Sequence, residues 1–429
     1  MNRTNWFDAL VLVMVVITVL MTPTQMALSI KAGPEHTVSD IGLSLADIMM
    51  ALTALVWGIG VLARGQLRQL RWPPLAAWVF LALCIPSVLW TGSMTRGAAK
   101  LLEYVEFFFV AYMVFVNTLT TRRARIAVLV ALFVGLGVNT LFAFRTLLTA
   151  SPDQFNPVKV AGLLGNRNLF GMYLCLLLPV AGALALFAKQ VWLKVIGAIL
   201  ALAPLAVVLA GGPFLGLLLG LGALVATWKF RTLPIYLAAV LLLVLLLLPA
   251  LPCNNTQLLT KSVAMYDQDG KDEGHRVLKR YLEWQAALTS LDPMQPPYRT
   301  KLDYPKKVLF GHGIGLYEKE IHDFWGALPS PDEDIMEKDT QNQYLVLAIS
   351  SGFPAALAFI WLLASYANGA RLSLLTSADR LDRIIAMGLI CALIAGALAA
   401  NFTLVIVRGV GLVLVCLAAM TAARKSPTQ

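Results

Sequence analysis

Hydrophobic positions in this chain come in long blocks separated by polar residues, and the blocks have the length of membrane-spanning helices. A helix needs about 20 predominantly apolar residues to cross a bilayer. Twelve blocks of about this kind lie near 8–22, 41–62, 74–90, 97–119, 126–148, 168–188, 191–210, 213–228, 233–251, 344–367, 383–403 and 405–422. The pattern predicts an all-α integral membrane protein with about 12 transmembrane helices. The first block lacks a small-x-small cleavage site, which favours a retained helix over a signal peptide.

One polar block, 252–343, is much longer than the other connections between apolar blocks. It carries 11 Lys or Arg residues and 15 Asp or Glu residues. Long connections are uncommon in folded proteins unless they carry function. The chain therefore divides into helices 1–9 in residues 1–251, a large loop in 252–343, and helices 10–12 in 344–429. We expect recognition or chemistry in or beside this loop.

The placement of charge predicts the orientation in the membrane. The formal net charge is +10, but the positive residues are spread over alternate connections rather than gathered in one patch. On one predicted side, 16 Lys or Arg residues stand against three acids, Asp8, Asp379 and Asp382. The positive-inside rule makes that side cytoplasmic. Both termini are then cytoplasmic, the loop 252–343 is external, and no nucleic-acid partner is expected.

Seven basic residues are exceptions to the excess of positive charge on the cytoplasmic side, because they are predicted at the external ends of helices or in short external connections. They are Lys31, Arg96, Lys100, Arg145, Lys159, Arg167 and Arg408. One such cation alone is explained by snorkelling to lipid headgroups. Seven together favour a site for an anionic ligand, because arginine offers phosphate paired hydrogen bonds. Lys100 and Glu103 are spaced to pair on one helix face, as a satisfied internal ion pair or as the wall of a polar cavity.

A polar turn precedes helix 6. Asn166 or Asn168 fits there as a helix cap. Capping does not explain Arg167, which stands at the positive end of the helix dipole, where an anion is favoured.

Within the large loop, residues 274–288 have apolar side chains at helical spacing. Arg276 and Arg280 are four residues apart on one face, and Trp284 lies one turn further on. This pattern fits an amphipathic helix whose basic face meets solvent or headgroups. It fits equally well a clamp for a pyrophosphate group.

Later in the loop, glycines surround His312 in Gly311–Gly315 and predict a flexible turn. The acidic run 332–339 is predicted to be a solvated face, because it lacks the spacing of a calcium loop. Five scattered cysteines give neither a disulfide framework nor a metal motif.

Three motifs follow one another in the second half of the chain. The first joins Arg280, Trp284, Ala286 and Ala287; the second runs from Phe310 to Gly315; the third sets Gln341-Asn342 nine residues before Gly352. In order and spacing they resemble the superfamily of O-antigen ligases and O-antigen polymerases, which are bacterial inner-membrane glycosyltransferases of the GT-C class. The stretch from Gly165 to Gly171 is similar to a helix entry of that family. The resemblance covers helices 6–10 and the loop.

The resemblance implies a GT-C-like fold and transfer of a glycan from undecaprenyl pyrophosphate to a sugar hydroxyl of lipid A–core. The active site would face the periplasm, with membrane lipids around it, no metal and no cofactor. Arg276 and Arg280 would stabilise the leaving pyrophosphate. The further candidate substrate-binding residues are Lys31, Arg96, Lys100, Arg145, Arg167, Asn168, Trp284, His312, Asn342 and Arg408.

Other functions share parts of this pattern. An O-antigen or exopolysaccharide polymerase and an O-linked protein oligosaccharyltransferase use the same donor with other acceptors. A transporter of lipid-linked oligosaccharides is the non-enzymatic alternative. Transporters usually show internal repeats and ionisable groups near the bilayer midplane. The polar groups here gather at one membrane face, which favours an enzyme over a transporter.

The chain departs from the family at Gln341, where the family carries a histidine held to activate the acceptor hydroxyl. Glutamine orients a hydroxyl but has no nitrogen that takes up a proton at neutral pH. Either Gln341 slows the reaction, or His312, His322 or Asp339 serves as the base.

Overall fold

Helices make up almost all of the described structure, and one short strand pair is the exception. The structure is a computed structural model that describes residues 3–24, 27–30, 41–89, 94–149, 162–206, 212–227, 284, 287–288, 290, 303–314, 317, 342–401 and 403–422.

The elements follow the order of the apolar blocks. The helices are α1 (Arg3–Met21), α2 (Leu45–Ala63), α3 (Leu75–Leu89), α4 (Met94–Val105), α5 (Tyr112–Thr118), α6 (Arg122–Thr149), α7 (Arg167–Phe187), α8 (Val191–Leu202), α9 (Gly212–Thr227), α10 (Asp303–Phe310), α11 (Gln343–Ser351), α12 (Phe353–Thr376), α13 (Arg380–Ala399) and α14 (Arg408–Ala422). A π-helix (Glu106–Ala111) joins α4 to α5, and 3-10 turns cover Leu67–Gln69, Gly162–Leu164 and Pro204–Ala206. Strands β1 (Ala27–Ile30) and β2 (Ile41–Ser44) pair antiparallel, with Ala27 opposite Ser44.

Five of the described helices are long and apolar enough to cross a membrane. They are α2, α6, Asn168–Phe187 of α7, α12 and α13. Shorter apolar stretches, of 10–17 residues, lie in α1, α3, α8 and α14. The helices thus have the membrane-protein character that the apolar blocks predict. The predicted block 233–251 lies outside the described residues.

The predicted tenth block, 344–367, is not one helix. Gly352 has φ +91° and separates α11 from α12, and the longer helix continues to Thr376. A Cβ at Gly352 would collide with the carbonyl of Leu309. The break therefore results from a close crossing with a segment more than forty residues away, which a local hydrophobic pattern does not reveal.

The core lies around α7, α13 and α14. Every residue from 169 to 184 of α7 and from 409 to 421 of α14 is buried. Helix α13 packs against α7, α9 and α12. Its approach to α7 is close because a Cβ at Gly388 would stand 2.6 Å from the Cα of Val180. Small residues let two helix backbones approach in this way without a hydrophobic driving force between them.

Ion pairs gather at one end of the helix bundle, which we call the ion-pair face. They join Arg64 to Asp8 at 2.7 Å, Arg122 to Asp379 at 3.2 Å and Arg125 to Asp382 at 3.1 Å. These are the three acids that the sequence places on the cytoplasmic side, and each pairs with an arginine assigned to the same side. The paired residues therefore lie at one face together, in agreement with their assignment to one side. That the ion-pair face is cytoplasmic stays a prediction.

The helix directions define the opposite face. Helix α7 ends at the ion-pair face, since Arg380 Nε donates to the Phe187 carbonyl at 2.6 Å. Helix α14 ends there too, because an Arg71 guanidinium nitrogen donates to the Ala422 carbonyl at 3.0 Å. Both helices consequently begin at the opposite face, where Arg167 and Arg408 are their first residues.

Candidate functional site

On the opposite face, α4 presents a charged pair. Lys100 Nζ lies 2.6 Å from a Glu103 carboxylate oxygen, and both side chains are partly exposed. The same ammonium stands 5.7 Å from the ring centroid of Tyr104. The pairing expected from the spacing is therefore present. Arg96 lies one turn before Lys100 on the backbone of α4, and its side chain is outside the described residues.

Next to this pair, the chain forms the π-helix that starts at Glu106. One carboxylate oxygen of Glu106 is buried and has no hydrogen-bond partner among the described residues. Its carboxyl interacts electrostatically with those of Asp47 and Glu103. Asp47 belongs to a capping box at the start of α2, where its carboxylate accepts from the Ser44 backbone N–H at 2.8 Å. A single π-helical turn inside a helix is frequent at functional sites. We call Lys100, Glu103, Glu106 and Asp47 the α4 charge cluster.

Asparagine fixes the start of α7. The Oδ1 atom of Asn166 accepts hydrogen bonds from the backbone N–H groups of Asn168 and Leu169, at 2.8 and 3.3 Å. Asn166 is thus the cap, and Asn168 is a half-buried residue of the first helical turn. Arg167 begins the helix, at the positive end of its dipole. Only its backbone is described.

A second asparagine fixes the start of α11, directly after the motif position 341. Asn342 is buried, and its Oδ1 accepts from the backbone N–H groups of Tyr344 and Leu345, at 3.0 and 3.1 Å. This capping role was not predicted from the sequence, which marked Asn342 only as a candidate for substrate binding. Gln341 itself lies outside the described residues.

The next residue, Gln343, ties α11 to the connection between α13 and α14. Its buried Oε1 accepts from the backbone N–H groups of Val405 and Ile406, both at 3.0 Å. Its own backbone N–H donates to the Ala400 carbonyl at 2.8 Å. The start of α11 is thereby held against Ile406, which precedes Arg408 by two residues in the chain. Sequence reasoning missed Gln343, because a glutamine at the entry of an apolar block gives no separate signal.

The residues that follow α1 pack against the first turn of α14 and against the middle of the bundle. A Cβ at Gly409 would collide with the Thr22 carbonyl. A Cβ at Gly135 of α6 would stand 3.1 Å from the Tyr173 hydroxyl and 3.5 Å from Pro23. The Thr22–Pro23 segment therefore lies between α14, α6 and α7. The two helix starts that carry Arg167 and Arg408 belong to the helices gathered around it.

The segment around His312 is not the flexible turn that its glycines predict. Residues 311–314 are buried. The backbone N–H of His312 donates to the Ile349 carbonyl at 2.7 Å, and that of Gly313 donates to the Ser350 carbonyl at 3.1 Å. Gly311 has φ +75°, and a Cβ there would collide with the Ser350 carbonyl. The absence of a side chain at these glycines thus allows two backbone segments to cross closely.

The His312 ring is held in the same crossing. Its Nδ1 lies 3.2 Å from the Ile349 carbonyl oxygen, which only accepts, so the ring donates through Nδ1–H. Burial and, to a lesser extent, the positive charge of Lys307 lower the pKa of His312 from 6.5 to about 4, although the hydrogen bond to Ile349 acts in the opposite direction. His312 is therefore neutral at pH 7 and a weaker proton acceptor than an ordinary histidine.

The remaining predicted residues are only partly described. Arg145 is exposed near the end of α6. Trp284 is half-buried. It and the three other described residues between 284 and 290 are helical, which agrees with the predicted loop helix. In that helix, the Ser290 hydroxyl donates to the Ala287 carbonyl at 2.7 Å. The other predicted positions that lie outside the described residues are Lys31, Arg276, Arg280, His322 and Asp339.

Among the described residues, no group of three or more His, Cys, Asp or Glu side chains is placed to hold a metal ion. Neither models of known protein families nor curated proteins give a match to this chain.

Proposed function

We propose that this chain is a glycosyltransferase that uses a glycan donor on undecaprenyl pyrophosphate. Its product is lipopolysaccharide, formed when the glycan joins a sugar hydroxyl of lipid A–core at the periplasmic surface of a bacterial inner membrane. One observation supports this most. The α4 charge cluster and the starts of α7, α11 and α14 share the face opposite the paired arginines, and the starts of α7 and α11 carry motif positions.

In the proposed reaction, an acceptor hydroxyl oxygen attacks the anomeric carbon of the donor glycan. A new C–O bond forms, the bond between that carbon and the pyrophosphate oxygen breaks, and undecaprenyl pyrophosphate leaves with the electron pair. The hydroxyl proton goes to a base. Negative charge grows on the leaving group in the transition state, so preorganised cations stabilise that state more than the bound donor.

Two sets of cations are assigned to the pyrophosphate. Arg276 and Arg280 form the proposed clamp, on the predicted loop helix that also contains Trp284. Arg167 and Arg408 are the first residues of α7 and α14, so their helix dipoles also favour an anion at the opposite face. Lys100 and Arg96 on α4, with Lys31 and Arg145, are proposed to bind donor groups further from the reacting carbon.

The acceptor side is assigned to the start of α11. Asn342 and Gln343, which follow Gln341 in the chain, use their side-chain oxygens to fix that start. A group that orients an acceptor hydroxyl requires a fixed position. We therefore assign Gln341 to the acceptor hydroxyl, with about 12 transmembrane helices in a GT-C-like arrangement around it.

The experiment replaces Arg280 in the full chain and measures transfer to lipid A–core. We expect Arg280→Ala to lower the rate at least about tenfold, since one oxyanion-type donor contributes about 2.7–4 kcal/mol. Arg276→Ala should act in the same direction and less strongly. Arg280→Lys should stay below wild type, because lysine lacks the bidentate fork. Lys306→Ala, an exposed residue of α10, is the matched control.

Full activity of both Arg280→Ala and Arg280→Lys, at normal protein level, would contradict the clamp. Deletion of the gene separates the acceptors. A ligase deletion leaves lipid-linked polymer with none on lipid A–core, whereas a polymerase deletion leaves single repeats on lipid A–core.

A further inference from the structure

An apolar groove opens between α6 and α8, remote from the face that carries the proposed transfer site. Its cavity of about 630 Å³ is lined by one side of each helix, with Leu184 of α7 and Leu381 of α13 behind. Every lining residue is apolar except Arg122 and Gln190. The floor is closed where α8 presses on α7, since a Cβ at Gly197 would stand 2.6 Å from the Ala185 backbone nitrogen.

The groove has the depth of one membrane leaflet. On α6 its lining runs from Arg122 to Val134, which at 1.5 Å per residue is about 18 Å of helix axis. The hydrocarbon core of a bilayer is about 30 Å thick, so one leaflet contributes about 15 Å. An apolar groove of this depth on the flank of a membrane protein matches a lipid acyl chain that lies parallel to the helices.

The mouth of the groove has the composition of a headgroup site. Helices α6 and α8 both begin there, at Arg122 and Val191, so two positive dipole ends face the mouth. Gln190, the cap of α8, makes no side-chain capping bond. Trp192 also lines this end, and tryptophan is enriched at the level of lipid headgroups.

Arg122 retains the capacity to bind an anion. Its Nε atom pairs with Asp379 at 3.2 Å, while its side chain is 66% exposed. A guanidinium has five N–H donors in a planar fork. One edge is then engaged by Asp379, and the terminal nitrogens suit a phosphate oxygen.

We propose that this groove binds an anionic glycerophospholipid from the leaflet on the ion-pair face. One acyl chain fills the groove, and the phosphate lies at Arg122. The site is separate from the proposed glycan transfer and does not depend on it.

The test uses the full chain, purified in mild detergent and reconstituted with equal amounts of phosphatidylglycerol and phosphatidylethanolamine. Native mass spectrometry then measures the lipid that stays bound. We expect wild type to retain phosphatidylglycerol in preference. Arg122→Gln should lower that retention about tenfold, the effect of one charge-assisted hydrogen bond. Its control is Arg123→Gln, the next residue, which is exposed and does not line the groove.

A second pair of variants tests the acyl-chain site independently of charge. Ile196 lines the groove, whereas its neighbour Val195 is exposed and does not. Ile196→Trp should fill the groove and abolish retention of both lipids, while Val195→Trp should retain them.

Three results would overturn the proposal. Equal retention by Ile196→Trp and Val195→Trp would show that the groove is not the site. Equal binding of both lipids by wild type would show that the site does not select an anionic headgroup. A wild-type protein without bound lipid would show that another part of the chain covers the groove, and the apolar segment 233–251 is the first to consider.

Discussion

Position 341 holds an amide where the transferases that the sequence resembles hold an imidazole, and the two residues that follow it in the chain are anchored by hydrogen bonds. Asn342 caps α11, and Gln343 binds the backbone of Val405 and Ile406. Structural side chains therefore follow the proposed acceptor position immediately.

We expect Gln341→His to raise the transfer rate by about 10²–10⁴-fold, the usual contribution of a general base. The gain should follow deprotonation of the imidazole, with a midpoint near the unperturbed pKa of about 6.5. Steady-state rates from pH 5.5 to 8.5 measure both. Gln341→Asn is the control, because it changes the side chain without adding a base.

A small effect of Gln341→His would mean that another group takes the proton. Replacing that group should then abolish transfer. His322 and Asp339 are the stronger candidates, since the lowered pKa of His312 makes it a weak base at neutral pH.

The lowered pKa of His312 also leads to a prediction about the stability of the protein. Its pKa in the folded protein is about 4, against an ordinary value of 6.5. Between these values the unfolded chain takes up a proton that the folded protein does not, so stability falls as the pH is lowered from 6.5 towards 4. The loss is about 3 kcal/mol when complete. Thermal unfolding in detergent at pH 7.5 and pH 5 measures about 2 kcal/mol of this loss, since the loss is complete only below pH 4.

His312→Gln removes the titrating group and should flatten this dependence, although it costs stability at every pH. An equal acid loss in wild type and His312→Gln would assign the effect to other groups.

At the scale of elements, the sequence predicts where helices lie better than where they break. The apolar blocks are mostly helical where the structure describes them, because helix formation in these stretches is governed by local hydrophobicity. The second block, predicted as a helix from residue 41, instead begins with strand β2 at Ile41–Ser44. The break at Gly352 depends on the carbonyl of Leu309, a contact between distant parts of the chain. The π-helix at Glu106–Ala111 and the strand pair β1–β2 likewise gave no local signal.

The same difference between local and long-range contacts applies to the residues of the candidate site. Asn166 is a helix cap, and the Lys100–Glu103 pair forms, because both depend on residues a few positions apart. The burial of His312 and the anchoring by Gln343 could not be predicted, since each depends on a segment elsewhere in the fold.

The crossing of α11 and α12 with the 309–313 segment yields a test. Gly352→Ala should destabilise the protein by at least about 2 kcal/mol, because a left-handed backbone with a side chain is strained and the added Cβ meets the Leu309 carbonyl. Gly369→Ala on the same helix is the control. Its Cβ meets nothing within 4 Å, so that variant should gain up to about 1 kcal/mol from helix propensity. Thermal midpoints measure both, and equal midpoints would contradict the crossing.

For the whole molecule, we predict that the ion-pair face is cytoplasmic. A Cys253→Ser background suits cysteine labelling, because the four other cysteines are buried, namely Cys84, Cys175, Cys391 and Cys416. Single cysteines then replace Arg123 and Lys306, which are exposed. A membrane-impermeant reagent should label position 306 in intact spheroplasts and position 123 only after lysis. The reverse result would invert the predicted topology and remove the periplasmic site.

The position of α14 has a consequence for how the protein is made. This helix is buried against α1, α2, α5, α7, α12 and α13, although it is the last of the described helices to leave the ribosome. At about 5–20 residues per second, the roughly 390 residues between Thr22 and its neighbour Gly409 take about 20–80 s to synthesise. During that time the earlier helices wait in the bilayer around an unfilled centre. Loss of α14 would therefore leave an open assembly exposed to membrane proteases, rather than a slightly shortened protein.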